Sequence, residues 1–397
     1  CGLLAKAQEV LHDIPFRNEI SWFALISGYN QYEQGYEVLK CFEQMQIEGF
    51  FPDANMLVCV LKGCAIVAAV DKGEQVHAGI ISGCMLDQNI VLGSVVVDMY
   101  AKCGMLKRAY HVHDDLPFRD IVTWNTLISG YSQQEQGHDA LNCFEQMTVE
   151  GLSPDEVTLV CILNSCSSVG ALEKGERIHE MIVTGGLIGK SIAIGNALVD
   201  MYAKCGVLGK ALQMHVDLLI WDTISWNSLI AGYAQQGQGY KALNCFQWMQ
   251  NEAICPDKIT FLSILSACNH MALSDAAETL FGHMSMGYGI VPGLEHHTCM
   301  VVGLGCAGEL GEAISVVNMM PRSGNSITIW LPILSACRRW GNVKAAVSIF
   351  YHILQLDPSC SAAYILLADV FGGAGMEENA KKVESMRLHA SECLYVG

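Results

Sequence analysis

The chain has 397 residues, of which 51% are hydrophobic and 16% charged, and it carries a formal net charge of −17. That apolar content excludes a disordered chain, and so large a negative charge disfavours a sequence-blind binder of duplex nucleic acid, whose affinity comes mainly from neutralised phosphates. No run of 18 or more predominantly apolar residues occurs, so neither a transmembrane helix nor a membrane partner is expected.

Residues 1–18 read as a partial unit, because Cys1-Gly2 falls in register with Cys103-Gly104 and Cys205-Gly206. The chain is therefore expected to begin inside a repeat, with any targeting segment upstream. From residue 19 a period of 102 governs the sequence. Trp22, Trp124 and Trp226 obey it, as do Pro52, Pro154 and Pro256, each followed by Asp. Self-similarity at fixed spacing is the mark of a repeat array. The period divides into units of 35, 36 and 31 residues, giving nine units at 19–53, 54–89, 90–120, 121–155, 156–191, 192–222, 223–257, 258–293 and 294–325. Residues 326–393 hold two further motifs, and 394–397 form a tail.

Each unit reads as two helices. Trp124, Leu127, Ile128 and Tyr131 recur at i, i+3, i+4 and i+7, one apolar face. Gly137 interrupts this pattern. Ala140, Leu141, Phe144 and Met147 make a second stripe, and Pro154 stops it. Two short helices cannot bury such stripes alone, so they must stack on neighbours. The expected fold is all-α, a right-handed superhelical solenoid of helix-turn-helix repeats with the first helices lining one groove.

The 18 cysteines echo the period, as in Cys41, Cys143 and Cys245, and no CxxC pair exists. They read as small apolar residues in a reducing compartment rather than disulfides or zinc ligands. His111 with His113, and the pair His296-His297, lack Cys or carboxylate partners at ligand spacing and read as surface or groove-lining residues. No HxE, PCxxC or GxxxxGK[ST] occurs. No catalysis, metal or cofactor is expected.

Asn125 to Tyr131, Ala140-Leu141 through Met147, Gly151 and Pro154-Asp155 resemble the standard motif of plant pentatricopeptide repeat (PPR) proteins. Asn196 to Gly206 resembles the short motif, and Leu163 to Cys166 with Gly175 and His179 the long motif, of the PLS subclass. Trp330, Leu334 to Arg338, Gly341 to Val343 and Leu356 to Pro358 resemble the first E-type, TPR-like extension motif; Tyr364 to Ala368 with Ala374-Gly375 resembles the second. No DYW deaminase domain follows them in this chain.

The resemblance implies that the fifth and last residues of a unit read one base of single-stranded RNA. Asn125 with Asp155, Asn196 with Asp222 and Asn227 with Asp257 imply a pyrimidine. Ser94 with Asp120 implies a purine, G ahead of A, and Thr298 with Asn325 implies A. Val91, Val122 and Ile224 would pack on bases, with packing at the helix entry the equal alternative, and Lys102 and Lys204 would approach phosphates. Phe23 with Asp53 departs from the pattern, as do Ala193 and Glu295. Val58, Val160 and Leu262 in the long units offer no hydrogen bond. The reading side chains are expected to be partly exposed in the groove. Asp53, Asp155 and Asp257 follow Pro before a helix and would equally serve as N-caps. The implied function is site recognition for organellar C-to-U RNA editing in mitochondrion or chloroplast. The partners would be single-stranded RNA, a deaminase-bearing PPR protein in trans and other organellar editing factors. A protein-interaction scaffold and a decayed or truncated family member are the alternatives.

Overall fold

A computed structural model describes residues 2–14, 16–86, 89–218, 220–318, 320 and 327–395. The described residues form 23 helices and no strand. The helix contacts divide the chain into two compact units, 1–201 and 202–397.

In the first unit the pairs are Glu19–Gln31 with Gly35–Ile47, Ala54–Val67 with Val70–Ser82, Ile90–Lys102 with Leu106–Asp115, Ile121–Gln133 with Gly137–Val149, and Glu156–Val169 with Leu172–Thr184. Each first helix from Glu19–Gln31 to Glu156–Val169 packs on the next first helix. Second helices up to Gly137–Val149 pack on their own partner and on the following first helix, and Leu172–Thr184 packs on its partner. In the second unit, pairs beginning at Thr223, Lys258, Leu294, Ile327 and Ser361 repeat the arrangement.

The stripes read from the sequence are the core. Trp22, Leu25, Ile26 and Tyr29 are buried, as are their equivalents Trp124, Leu127, Ile128 and Tyr131. Phe144 and Met147 close the layer from the second helix. Gly137 permits a close approach, since a Cβ there would lie 2.9 Å from the Ser165 carbonyl oxygen of the next unit.

Helix starts are fixed by polar caps. The side chains of Asp53, Asp120, Asp155, Asp222 and Asp257 each accept the backbone N–H three residues on, the N-cap bond. At the last four, Thr123, Thr158, Ser225 and Thr260 return a hydroxyl to the cap residue's N–H, completing a capping box. Asp53 lacks this half because Met56 stands at the third position. The cap alternative open at Asp53, Asp155 and Asp257 is therefore realised.

Candidate RNA-reading face

The groove side of the first unit shows how fifth-position residues are held. A cavity of about 700 Å³ is lined by Asp98, Lys102, Val122, Asn125, Asp155 and Val157, drawn from three successive first helices. Asn125 Nδ2 donates to both Asp155 carboxylate oxygens, at 3.0 and 2.9 Å. Asn125 Oδ1 accepts the Thr158 hydroxyl at 2.6 Å. The second unit repeats this: Asn227 Nδ2 donates to Asp257 Oδ1 at 3.0 Å, and Thr260 Oγ1 donates to Asn227 Oδ1 at 2.5 Å.

The carboxylates thus cap a helix and hold an amide at once. Burial pushes the Asp155 and Asp257 carboxyls up. The backbone N–H groups and asparagine amides around them outweigh it and hold both below the usual carboxylate range.

Ser94 and Thr298 behave differently. Ser94 Oγ donates to its own helix at Ile90 O, 2.9 Å, and Thr298 Oγ1 to Leu294 O, 2.8 Å. Each hydroxyl has one proton, so what remains for a ligand is an acceptor. With one N–H shared between the two Asp155 oxygens, Asn125 retains one N–H and one lone pair, a donor beside an acceptor.

Ser94, Asn125 and Thr298 are partly exposed, as expected. Asn196 and Asn227 are not: each is only 7% exposed, which corrects the expectation for these two. Both ends of the Asn227 amide are engaged across the repeat boundary, as they are in the more exposed Asn125. Nothing in the small flanking Ala193 explains the burial of Asn196. Val91, Val122 and Ile224 are exposed. Lys102 is exposed and forms an ion pair with Asp98 at 2.9 Å, so its charge is already partly compensated. Lys204 is exposed at the equivalent helix end. Asn325 lies outside the described residues.

Two histidine expectations are corrected. His113 and His296 are buried, not surface residues. His113 packs edge-on against Trp124 with ring centroids 4.2 Å apart, and His215 packs on Trp226 in the same way. His296 Nδ1 accepts the Gly293 N–H, and its Nε2 lies 2.8 Å from the Lys258 carbonyl oxygen. Thr158 and Thr260 are site residues that the sequence reading missed. Their signal was the Asp-x-x-Thr spacing, which pointed only to a local cap.

Residues 119–168 and 222–270 match the PPR repeat family, and 20–50 and 295–325 match the PPR repeat. A mitochondrial pentatricopeptide repeat-containing protein of Arabidopsis thaliana is 36% identical over 377 residues, 95% of this chain and 67% of the relative. A chloroplastic one from the same plant is 32% identical over 91% of this chain and 42% of its own length. The crystal structure of the maize pentatricopeptide repeat protein PPR10 in complex with an 18-nt psaJ RNA element is similar with a TM-score of 0.70 at 18% identity, covering 99% of this chain and 63% of that one. With its repeats, its stacked helix pairs and a relative matched over two thirds of its length, this chain belongs to the pentatricopeptide repeat protein family.

Proposed function

We propose that the chain binds single-stranded RNA with base selectivity and serves as a site-recognition factor of the PLS subclass. Residues 326–393 would be its two E-type motifs, and the pyrimidine deaminase would act in trans, in a mitochondrion or chloroplast. The observation that carries the binding reading is the Asn125–Asp155 pair, repeated as Asn227–Asp257. Each holds an asparagine amide in one orientation on a groove-lining helix. The organellar relatives and the RNA-bound maize protein support the same reading.

A donor beside an acceptor suits U, which offers N3–H beside a carbonyl, and C, which offers N3 beside an amino group. The acceptor-only hydroxyls of Ser94 and Thr298 suit purines that present N–H groups, G and A respectively. With one base per unit, the first repeats read G then pyrimidine from Ser94 and Asn125, with no preference at Val160. Asn196 adds a pyrimidine. Asn227, Leu262 and Thr298 read pyrimidine, no preference, then A.

A scaffold reading is favoured by the net charge of −17 and by the Lys102–Asp98 ion pair, which weakens phosphate attraction. Selection from a randomised single-stranded RNA pool separates the two. Enrichment of this pattern supports base reading. Recovery of unenriched RNA, or of none, favours the scaffold.

A further inference from the structure

The third residue of a long unit lies 33 positions beyond the fifth residue of the standard unit before it, yet the two touch. We infer that Thr158 and Thr260 are positioning residues for base reading, each fixing the amide of the preceding repeat's Asn125 or Asn227. The inference rests on the RNA-reading function proposed above and deepens it.

The hydroxyl of Thr158 lies 2.6 Å from Asn125 Oδ1 and 2.9 Å from Asp155 Oδ1, and it accepts the Asp155 backbone N–H at 3.2 Å. Its single proton goes to the shorter contact, the amide oxygen. The asparagine is then pinned at both ends: Asp155 takes an N–H, and Thr158 fills a lone pair. A flipped amide would turn its oxygen towards the carboxylate, which repels it. Asp155 alone forbids the flip but leaves the side chain free to pivot about the carboxylate, which accepts at two oxygens. Thr158 removes that freedom. It also removes one lone pair, so a ligand meets one donor and one acceptor in fixed places rather than a loose amide. The threonine is fully buried and keeps this geometry without water in competition.

The three standard units that precede a long unit agree, whereas at Asn196, in a short unit, the equivalent Ser225 Oγ donates to its own cap at Asp222 O, 3.0 Å. Asn125 faces Thr158 and Asn227 faces Thr260, with the same bonds. At the third site the fifth residue is Phe23 and the matching third-position residue is Met56. At this standard-to-long boundary there is neither an amide to hold nor a hydroxyl to hold it. The capping box alone does not account for the contact. Thr123 makes the same box, but its hydroxyl reaches only Asp120, at the backbone oxygen (2.8 Å) and Oδ1 (3.1 Å), while Ser94 bonds to Ile90.

The test uses the full chain and a randomised single-stranded RNA pool, with nucleotide preference and thermal melting read together. The nucleotide facing Asn125 is identified as the one whose preference moves in Asn125→Thr. Thr158→Val should lower pyrimidine-over-purine preference there about five-fold, the scale of one hydrogen bond. Thr158→Ser should restore it. Thr123→Val, which removes an equivalent cap hydroxyl, should lower the melting temperature similarly yet leave the preference at Ser94's nucleotide unchanged. Thr260→Val is the independent second site if Thr158→Val does not fold. The inference is overturned if folded Thr158→Val or Thr260→Val selects the same RNA as wild type, or if Thr123→Val changes preference as much. A wild-type chain that selects no sequence overturns the RNA reading itself, a different result from a selective wild type indifferent to Thr158.

Discussion

Two neighbouring repeats, 90–120 and 121–155, solve the same problem with different side chains. Both end in an aspartate that caps the next helix, and both caps are completed by a threonine, Thr123 or Thr158. Asn125 reaches across to its cap and is tied into it, whereas Ser94 is too short and turns back to Ile90. The cap is therefore a constant frame, and the fifth residue an insert that changes without altering the frame. This separation lets one fold present a donor beside an acceptor in one repeat and an acceptor alone in the next.

The frame can be broken as a whole by acid. His113 belongs to Ser94's repeat and packs on Trp124 of Asn125's repeat, so it joins the two. Burial pushes the His113 and His215 imidazoles down to about 4. Both are then neutral in the fold, while in the unfolded chain they take protons below about pH 6.5. Their contribution is intact above that pH and is lost as pH falls from about 6.5 towards 4. The full loss is on the order of 3 kcal/mol for each histidine. Denaturant titrations at pH 7 and pH 5 should show a clear drop for wild type and a smaller one for His113→Phe, which keeps an aromatic edge against Trp124. Equal drops would contradict this account.

The frame can also be broken one cap at a time. Asp120→Ala and Asp155→Ala should each cost about 1–2 kcal/mol in the unfolding free energy, because each removes one N-cap. In RNA selection they should part: Asp155→Ala releases the Asn125 amide, so its repeat should lose more preference than Ser94's loses in Asp120→Ala. Equal losses would show that the tie to the amide contributes nothing.

Much of this was legible in the residues, and the rest was hidden for physical reasons. The stripe from Trp124 to Tyr131 and its echoes at Trp22 and Trp226 gave the helices and the core, because helical periodicity is a local property. The caps were legible at Asp155 and Asp257 because Pro and the helix start bracket them. The reach of Thr158 to Asn125 was not, since it spans 33 residues and exists only once two first helices pack. A complete local explanation, the capping box, also stood in its place. The burial of Asn196 and Asn227 was hidden because depth in a groove depends on neighbouring helices. His113 was misjudged because nothing in its own helix shows that Trp124 will cover it.

The central claim is that the asparagine tied to the cap reads a base. Asn125→Thr with Asp155 retained tests it most directly, by selection from a randomised single-stranded RNA pool alongside wild type. Threonine offers one hydroxyl, and at this helical position its proton would go to the carbonyl four residues back, as in Thr298. Preference at one nucleotide should move from pyrimidine towards G by about ten-fold, one or two hydrogen bonds, with the flanking nucleotides unchanged. Identical enrichment by the two proteins would contradict the account and leave Asn125 a residue of the helical frame.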